Sequence, residues 1–251
     1  MNFDLQGVMV TGSAGGLGRA VALDLAARGV DTICVDANAD GLAKTASEAE
    51  RLGVRCVPVV ADLASEASIA NVFQQAGESG IVLEGIVTCA GVTNKTRVLD
   101  LTVSEWDRVM NINLRGTFLC VQHALRTMVP RKRGRIVTVA SDTAKRGAGR
   151  LSTSAYGASK GGVVTLTRSL ARELAVHRGA IRVNCLCPGP IWTDMHLGMT
   201  AEERATVENS VLMGRFARPE EIAAGVLFLL SDEASFVYGE TLMVDGGVVL
   251  D

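Results

Sequence analysis

Short apolar runs alternate with amphipathic segments along the whole of this 251-residue chain. The apolar runs predict strands near residues 7–11, 32–36, 56–60, 84–90, 134–140, 180–186 and 240–245. The segments between them predict helices over about 17–28, 39–52, 65–78, 104–130, 154–177 and 219–231. Such an alternation is typical of a doubly wound α/β fold, with helices on both faces of a parallel sheet. We therefore expect a mostly seven-stranded parallel sheet in a single domain over residues 1–251.

The alternation is interrupted at about 188–218, where the sequence is irregular and contains one short helical pattern. This stretch follows the carboxyl end of a predicted strand, and ligands of open α/β sheets bind at that edge. The stretch is therefore predicted to be a lid over the site.

A glycine-rich turn, Thr11–Gly18, joins the first predicted strand to the first predicted helix. Free backbone N–H groups at a helix N-terminus, together with the helix dipole, form a site for a pyrophosphate. The turn therefore predicts dinucleotide binding, in the manner of a Rossmann fold. The alternative is a loop that uses glycine only for its backbone freedom.

Asp36 ends the second apolar run and points to the choice of dinucleotide. A carboxylate at this strand tip accepts both ribose hydroxyls of an adenosine and repels a 2′-phosphate. No Arg or Lys stands at the neighbouring positions 13, 14, 37 and 38. We therefore expect NAD rather than NADP as cofactor. Asp62, after the third run, has two interpretations: it holds the adenine edge, or it caps the following helix.

Tyr156 and Lys160 stand four residues apart at the start of a predicted helix, which places both on one helix face. A nearby ammonium stabilises a phenolate and lowers the pKa of the phenol. A tyrosine needs this help to act as an acid and base near neutral pH, since its ordinary pKa is about 10.

Composition excludes several other functions. The net charge of −2 offers no basic field for nucleic acid. No stretch approaches about 18 uninterrupted apolar residues, and no signal peptide is recognised, so we expect no membrane partner. Five of the six cysteines lie in apolar runs, which favours core residues in a reducing cytoplasm over a disulfide framework. No ligand spacing predicts a metal site.

The ordered motifs of the chain resemble those of the short-chain dehydrogenase/reductase family. The turn matches T-G-x-x-x-G-x-G, and Asn111–Phe118 matches the segment that carries the family's asparagine. The strand that ends at Ser141, the Tyr156–Lys160 pair, Pro188–Thr193 and Val244–Gly247 follow in order. One motif departs: the family's N-N-A-G is here Thr88-Cys89-Ala90-Gly91, so altered packing rather than lost activity is expected.

The resemblance implies a catalytic set of Asn113, Ser141, Tyr156 and Lys160. Tyr156 would exchange the proton with the substrate and Ser141 would hydrogen-bond the same oxygen. Lys160 would lower the pKa of the tyrosine and bind the nicotinamide ribose, and Asn113 would hold a water that leads to the lysine. Ser141 lies fifteen residues before Tyr156, slightly more than in most relatives, so Thr143 stays an alternative.

The cofactor contacts implied by the same resemblance come from several loops and share the carboxyl edge of the predicted sheet. They are Gly12, Gly16, Leu17, Gly18, Asp36, Asp62, Leu63, Ala90, Gly91, Tyr156, Lys160, Pro188, Gly189, Ile191 and Thr193.

The positions expected to face the substrate are polar. They are Thr93, Asn94 and Lys95, Asp142, Arg150–Ser154, and Trp192 and His196. This set predicts a small hydroxylated substrate, a polyol, sugar or hydroxy acid, in which Arg150, Lys95 or His196 could meet an anionic group. The alternative is that these three are solvated loop and lid residues.

Together these features predict an NAD-dependent dehydrogenase that interconverts a secondary alcohol and a ketone, with a small-molecule substrate. Two alternatives stay open: a 3-oxoacyl-[acyl-carrier-protein] reductase, and a non-catalytic nucleotide-sensing scaffold on the same fold. The resemblance also implies a homotetramer.

Overall fold

The computed structural model describes residues 4–148, 152–193 and 198–250. Seven strands form one parallel sheet in the order β3-β2-β1-β4-β5-β6-β7. The strands are β1 Gly7–Thr11, β2 Asp31–Asp36, β3 Cys56–Val60, β4 Leu83–Thr88, β5 Gly134–Val139, β6 Ile181–Pro188 and β7 Thr241–Val244. The predicted α/β class, strand number and parallel pairing are confirmed, and helices cover both faces of the sheet.

The helices are α1 Gly16–Ala26, α2 Ala39–Arg51, α3 Glu66–Glu78, α4 Val103–Met110, α5 Gly116–Arg131, α6 Thr143–Arg146, α7 Ser154–Leu174, α8 Ala201–Glu208 and α9 Pro219–Leu230. Several begin where a polar side chain accepts a hydrogen bond from the first turn, as Asn38 does from the Gly41 N–H at 3.1 Å. The described helices include none long and apolar enough to cross a membrane.

The central strands are buried on both faces, which explains their unbroken apolar sequence. One core cluster packs α1, α2 and α9 on one face of the sheet, and a second packs α3, α5 and α7 on the other. Because the strands are parallel, their carboxyl ends and the loops that follow them meet at one edge.

The prediction of one continuous helix over 104–130 is wrong in one respect. A π-helical turn, Asn111–Arg115, separates α4 from α5 and carries Asn113 into the interior. The short helix α6 was also not predicted, because four residues are too few for a recognisable period.

The irregular stretch 188–218 contains α8, as expected, and its two ends are tied together. Trp192 N–H donates to the Ala217 carbonyl at 2.8 Å, and Ala217 N–H donates to the Pro190 carbonyl at 2.9 Å. The stretch therefore leaves and rejoins the sheet edge at one place, while its role as a lid stays a prediction.

Candidate active site

The glycine-rich turn lies against the end of the neighbouring strand. Gly12 has a φ of 72°, and a Cβ at this position would lie 2.8 Å from the Ala90 nitrogen, so only glycine fits. Helix α1 begins directly after the turn, and its N-cap residue Gly15 has no side chain to satisfy the first N–H groups. These open donors suit an anion such as a pyrophosphate.

The Asp36 carboxylate lies at the tip of β2 beside this turn. Its Oδ2 accepts a hydrogen bond from Ala14 N–H at 3.0 Å, and its Oδ1 accepts one from Asn38 N–H at 3.0 Å. Both oxygens are thus held in place by backbone donors, and each keeps a lone pair for a ligand hydroxyl.

Asp62 follows β3 and is exposed. Its Oδ1 accepts from Ala64 N–H at 2.8 Å, whereas the residue that caps α3 is Ser65. The helix-cap interpretation of Asp62 is therefore wrong, and its contact with adenine stays a prediction.

Asn113 is fully buried at the π-helical turn and joins the end of β4 to α7. Its Oδ1 accepts from Val92 N–H at 2.8 Å, and its Nδ2 donates to the Val92 carbonyl at 2.8 Å and to Ser159 Oγ at 3.0 Å. A Cβ on Gly91 would lie 3.3 Å from Asn113 Oδ1 and 3.4 Å from Lys160 Nζ. The predicted asparagine and lysine are therefore neighbours, and the asparagine amide fixes the loop between them.

Cys89 stands where the family motif has an asparagine, and it lines the cavity described below. Burial raises the pKa of its thiol to about 12. The thiol therefore stays protonated near neutral pH and packs as a small apolar group.

Tyr156 and Lys160 share one face of α7, as the spacing predicts. Lys160 is 4% exposed, its Nζ donates to the Val139 carbonyl at 2.9 Å, and it lies 5.9 Å from the centroid of the Tyr156 ring. Burial lowers the pKa of Lys160. The ammonium is therefore held against a strand carbonyl.

The pKa of Tyr156 lies above its ordinary value, opposite to the sequence-based expectation. Burial is the main cause, and the nearby charge of Asp142 adds to it, while a hydrogen bond with Ser141 acts in the lowering direction. Lys160 does not offset the burial in this structure.

Ser141 lies two residues beyond the end of β5, and its hydroxyl is at the centre of a short network. Its Oγ donates to Asp142 Oδ1 at 2.9 Å and accepts from Thr143 N–H at 3.2 Å. The hydroxyl of Thr143 is buried with no partner among the described residues. The hydrogen bond between Ser141 and Tyr156 favours Ser141 over Thr143 as the partner of the tyrosine.

Asp142 continues this network to Arg146 at the end of α6. Its Oδ2 accepts from Arg146 Nε at 2.8 Å, and its side chain is 5% exposed against 38% for the arginine. Sequence reasoning missed Arg146, although the i, i+4 spacing of opposite charges could have indicated the pair.

A cavity of about 410 Å³ opens at the carboxyl edge of the sheet beside these groups. The predicted site residues that line it are Gly16, Leu17, Gly91, Thr93, Ser141, Tyr156, Lys160, Pro188, Gly189, Ile191 and Thr193. Asp142 and Ser152, both expected to face the substrate, line it as well, together with Thr143 and the unpredicted Arg146. One cavity thus joins the glycine turn, the Tyr156–Lys160 face and the start of the 188–218 stretch.

Other predicted residues lie outside the wall of this cavity. Trp192 packs edge-on against Phe216 at 5.2 Å between ring centroids, and the Arg204 guanidinium lies 4.8 Å from its ring. Asn94 is buried, and its amide has no hydrogen-bond partner among the described residues. The Trp192 ring contacts the stretch that carries α8, and the contact of these two residues with a substrate stays a prediction. Arg150 and His196 lie outside the described residues.

Comparison with known proteins agrees with this arrangement. A family model described as enoyl-(acyl carrier protein) reductase matches residues 12–249. A 3-oxoacyl-[acyl-carrier-protein] reductase of Aquifex aeolicus is 36% identical, over 99% of this chain and 100% of the relative. A cis-4-hydroxycyclohexanecarboxylate dehydrogenase of Sinomonas cyclohexanicum is 40% identical, over 95% of this chain and 94% of the relative.

The fold comparison points the same way. The crystal structure of a 3-oxoacyl-[acyl-carrier protein] reductase from Brucella melitensis superposes with a TM-score of 0.91 at 32% identity, covering 98% of this chain and 92% of that one. With these relatives, the glycine turn and the Ser141–Tyr156–Lys160 cavity, the chain belongs to the short-chain dehydrogenase/reductase family of oxidoreductases.

Proposed function

We propose that this oxidoreductase is an NAD-dependent dehydrogenase that interconverts a secondary alcohol and a ketone on a small hydroxylated substrate. The observation that carries the proposal is the single cavity in which Ser141, Tyr156 and Lys160 face the glycine turn. A dinucleotide would suit this cavity, since Gly12 and Gly18 leave no room for a Cβ in the turn and α1 presents N–H groups without a side-chain cap.

Asp36 supports NAD over NADP as the dinucleotide. Its two backbone hydrogen bonds fix the carboxylate at the tip of β2. There it would accept ribose hydroxyls and repel a 2′-phosphate. NAD, when bound, would accept the hydride from the carbinol carbon.

Tyr156 would take the hydroxyl proton of the substrate as a phenolate. Because burial raises the pKa of this phenol, the rate of oxidation should increase as the pH rises towards that pKa. Lys160, held by Val139 close to the ring, adds positive charge beside the phenolate as it forms.

Ser141 would bind the same substrate oxygen. Its Oγ lies between Asp142 Oδ1 and Thr143 N–H, and its hydrogen bond with Tyr156 places it beside the phenol that would exchange the proton.

A second candidate is reduction of a 3-oxoacyl thioester with NADPH. The names of the Aquifex and Brucella relatives favour it more than they favour a polyol. The Sinomonas relative, named for a hydroxy acid, favours a small substrate. Against this candidate, Asp36 disfavours NADPH. The charged Asp142–Arg146 pair in the cavity wall supports the small polar substrate.

The test is NADH formation at 340 nm with a panel of polyols, sugars, hydroxy acids and secondary alcohols, each with NAD and with NADP. The proposal predicts oxidation of small polar alcohols and a strong preference for NAD. Activity confined to oxoacyl thioesters with NADPH would instead establish the second candidate.

A further inference from the structure

Three charged side chains line the cavity among the residues that the structure describes: Asp142, Arg146 and Lys160. Lys160 is buried and engaged with the Val139 carbonyl. Asp142 is buried too, so it cannot be a solvated surface carboxylate. Arg146 alone of the three reaches both the cavity and solvent, with 38% of its side chain exposed. It is therefore the cation that an entering anion meets.

The position of Arg146 is fixed relative to the reacting groups. The Asp142 carboxylate receives Ser141 Oγ on one oxygen, at 2.9 Å, and Arg146 Nε on the other, at 2.8 Å. The guanidinium is thus separated from the Ser141 hydroxyl by a single carboxylate. The pair also spans one turn of α6, which holds the arginine in one orientation.

The bond to Asp142 uses only part of the donor capacity of the arginine. A guanidinium has five N–H donors, and Nε supplies one of them. The two terminal Nη groups make no hydrogen bond to any described residue. Their planar fork matches the two oxygens of a carboxylate.

The surroundings favour a carboxylate over other anions. Asp142 already balances the charge of Arg146, so the pair has no excess positive charge to compensate a doubly charged phosphate. The Thr143 hydroxyl, buried without a partner among the described residues and in the same cavity wall, offers one more donor to a singly charged group.

We propose that Arg146 binds a carboxylate of the substrate through its Nη groups while the secondary hydroxyl of the same molecule lies at Ser141 and Tyr156. The substrate is then a hydroxy acid. Its carboxylate and its secondary hydroxyl are far enough apart to contact Arg146 and Ser141, whose side chains lie on either side of the Asp142 carboxylate. This inference rests on the proposed function and narrows its substrate class.

The first experiment compares hydroxy acids with their methyl esters as substrates with NAD, using 3-hydroxybutyrate and cis-4-hydroxycyclohexanecarboxylate. The wild type should prefer each acid. Arg146→Gln should lower kcat/KM for the acids by about 10- to 100-fold, mostly through KM, as expected for the loss of a charge-assisted hydrogen bond. The same variant should lower kcat/KM for the esters much less, so that the ratio of acid to ester kcat/KM falls.

Two further variants separate recognition from structure. Lys145→Gln removes an exposed cation from the same helix and should change kcat/KM neither for the acids nor for the esters. Arg146→Gln combined with Asp142→Asn removes the buried carboxylate that the single variant leaves unpaired. The double variant should keep the lowered kcat/KM for acids if the arginine acts by binding them.

A binding measurement keeps the inference independent of turnover. Calorimetric titration of the enzyme–NADH complex with cyclohexanecarboxylate should give binding that Arg146→Gln weakens by about 10-fold or more, with cyclohexanecarboxamide as the neutral control. Carboxylate binding that is absent, or equal in Arg146→Gln, overturns the inference. Oxidation of esters and acids with equal efficiency also overturns it, yet leaves the proposed dehydrogenase function standing.

Discussion

Replacing Asp36 by Asn tests the cofactor assignment with little change in shape. The carboxylate is held by Ala14 N–H and Asn38 N–H, each at 3.0 Å. An asparagine keeps one acceptor oxygen and loses the charge, so one of these two N–H groups loses its partner. The cost to stability should be about 1 kcal/mol, the net contribution of one hydrogen bond.

The effect on the cofactor follows from the same loss of charge. A ribose hydroxyl that donates to a neutral oxygen rather than a carboxylate should bind about 1 kcal/mol less tightly, which is roughly a 5-fold weaker Kd for NADH. A 2′-phosphate at about 5 Å from the carboxylate is repelled by about 3 kcal/mol per unit charge at an effective dielectric constant of 20. Asp36→Asn removes this repulsion, which screening by salt makes smaller than the unscreened value. NADPH should therefore bind about 10- to 100-fold more tightly to the variant.

Fluorescence titration with NADH and NADPH measures both constants directly. Asp40→Asn is the matched control, because Asp40 is an exposed acid in the first turn of α2, four residues further along the chain. The ratio of the two Kd values should move by about two orders of magnitude in Asp36→Asn and hardly at all in Asp40→Asn. A folded Asp36→Asn enzyme with an unchanged ratio would refute the reasoning.

Three other outcomes follow from the structure. Tyr156→Phe should lower kcat by at least about 100-fold, the usual contribution of a positioned acid or base, while NADH titration shows binding intact; an active variant would exclude Tyr156 as the proton acceptor. Asp142→Asn removes a charge that raises the pKa of Tyr156, so the rising limb of the oxidation pH profile should move to lower pH; a shift to higher pH would contradict this assignment. Arg182, 3% exposed, donates to the carbonyls of Leu229, Ser231 and Ala234. Arg182→Met should cost about 3 to 5 kcal/mol and lower Tm by about 10 °C, measured by calorimetry; an unchanged Tm would mean that these carbonyls find other partners.

The sheet and the reacting face of α7 could be predicted because both depend on local patterns. Apolar runs of strand length specify burial on both faces, and the i, i+4 spacing of Tyr156 and Lys160 specifies a common helix face. The pKa of Tyr156 could not be predicted in this way. Its direction depends on how deeply the ring is buried and on the charge of Asp142, and neither can be read from spacing.

The parts of the site that sequence reasoning missed depend on tertiary contacts. Arg146 enters the cavity wall because a four-residue helix turns it back towards Asp142. Trp192 leaves the wall because Phe216 and Arg204, distant in sequence, pack around its ring. Polarity alone therefore identified the region of the cavity, but not all the side chains that line it.

The π-helical turn Asn111–Arg115 restricts where this chain can change length. A residue added to or removed from a surface loop changes only the path of that loop. The wide turn is different, because it contains one residue more than the same turn of a regular α-helix. Deleting one residue there would close the wide turn into a regular α-helix. Asn113 would then leave its partners Val92 and Ser159. Insertions and deletions that preserve activity are therefore expected in the surface loops, with residues 103–131 kept at constant length.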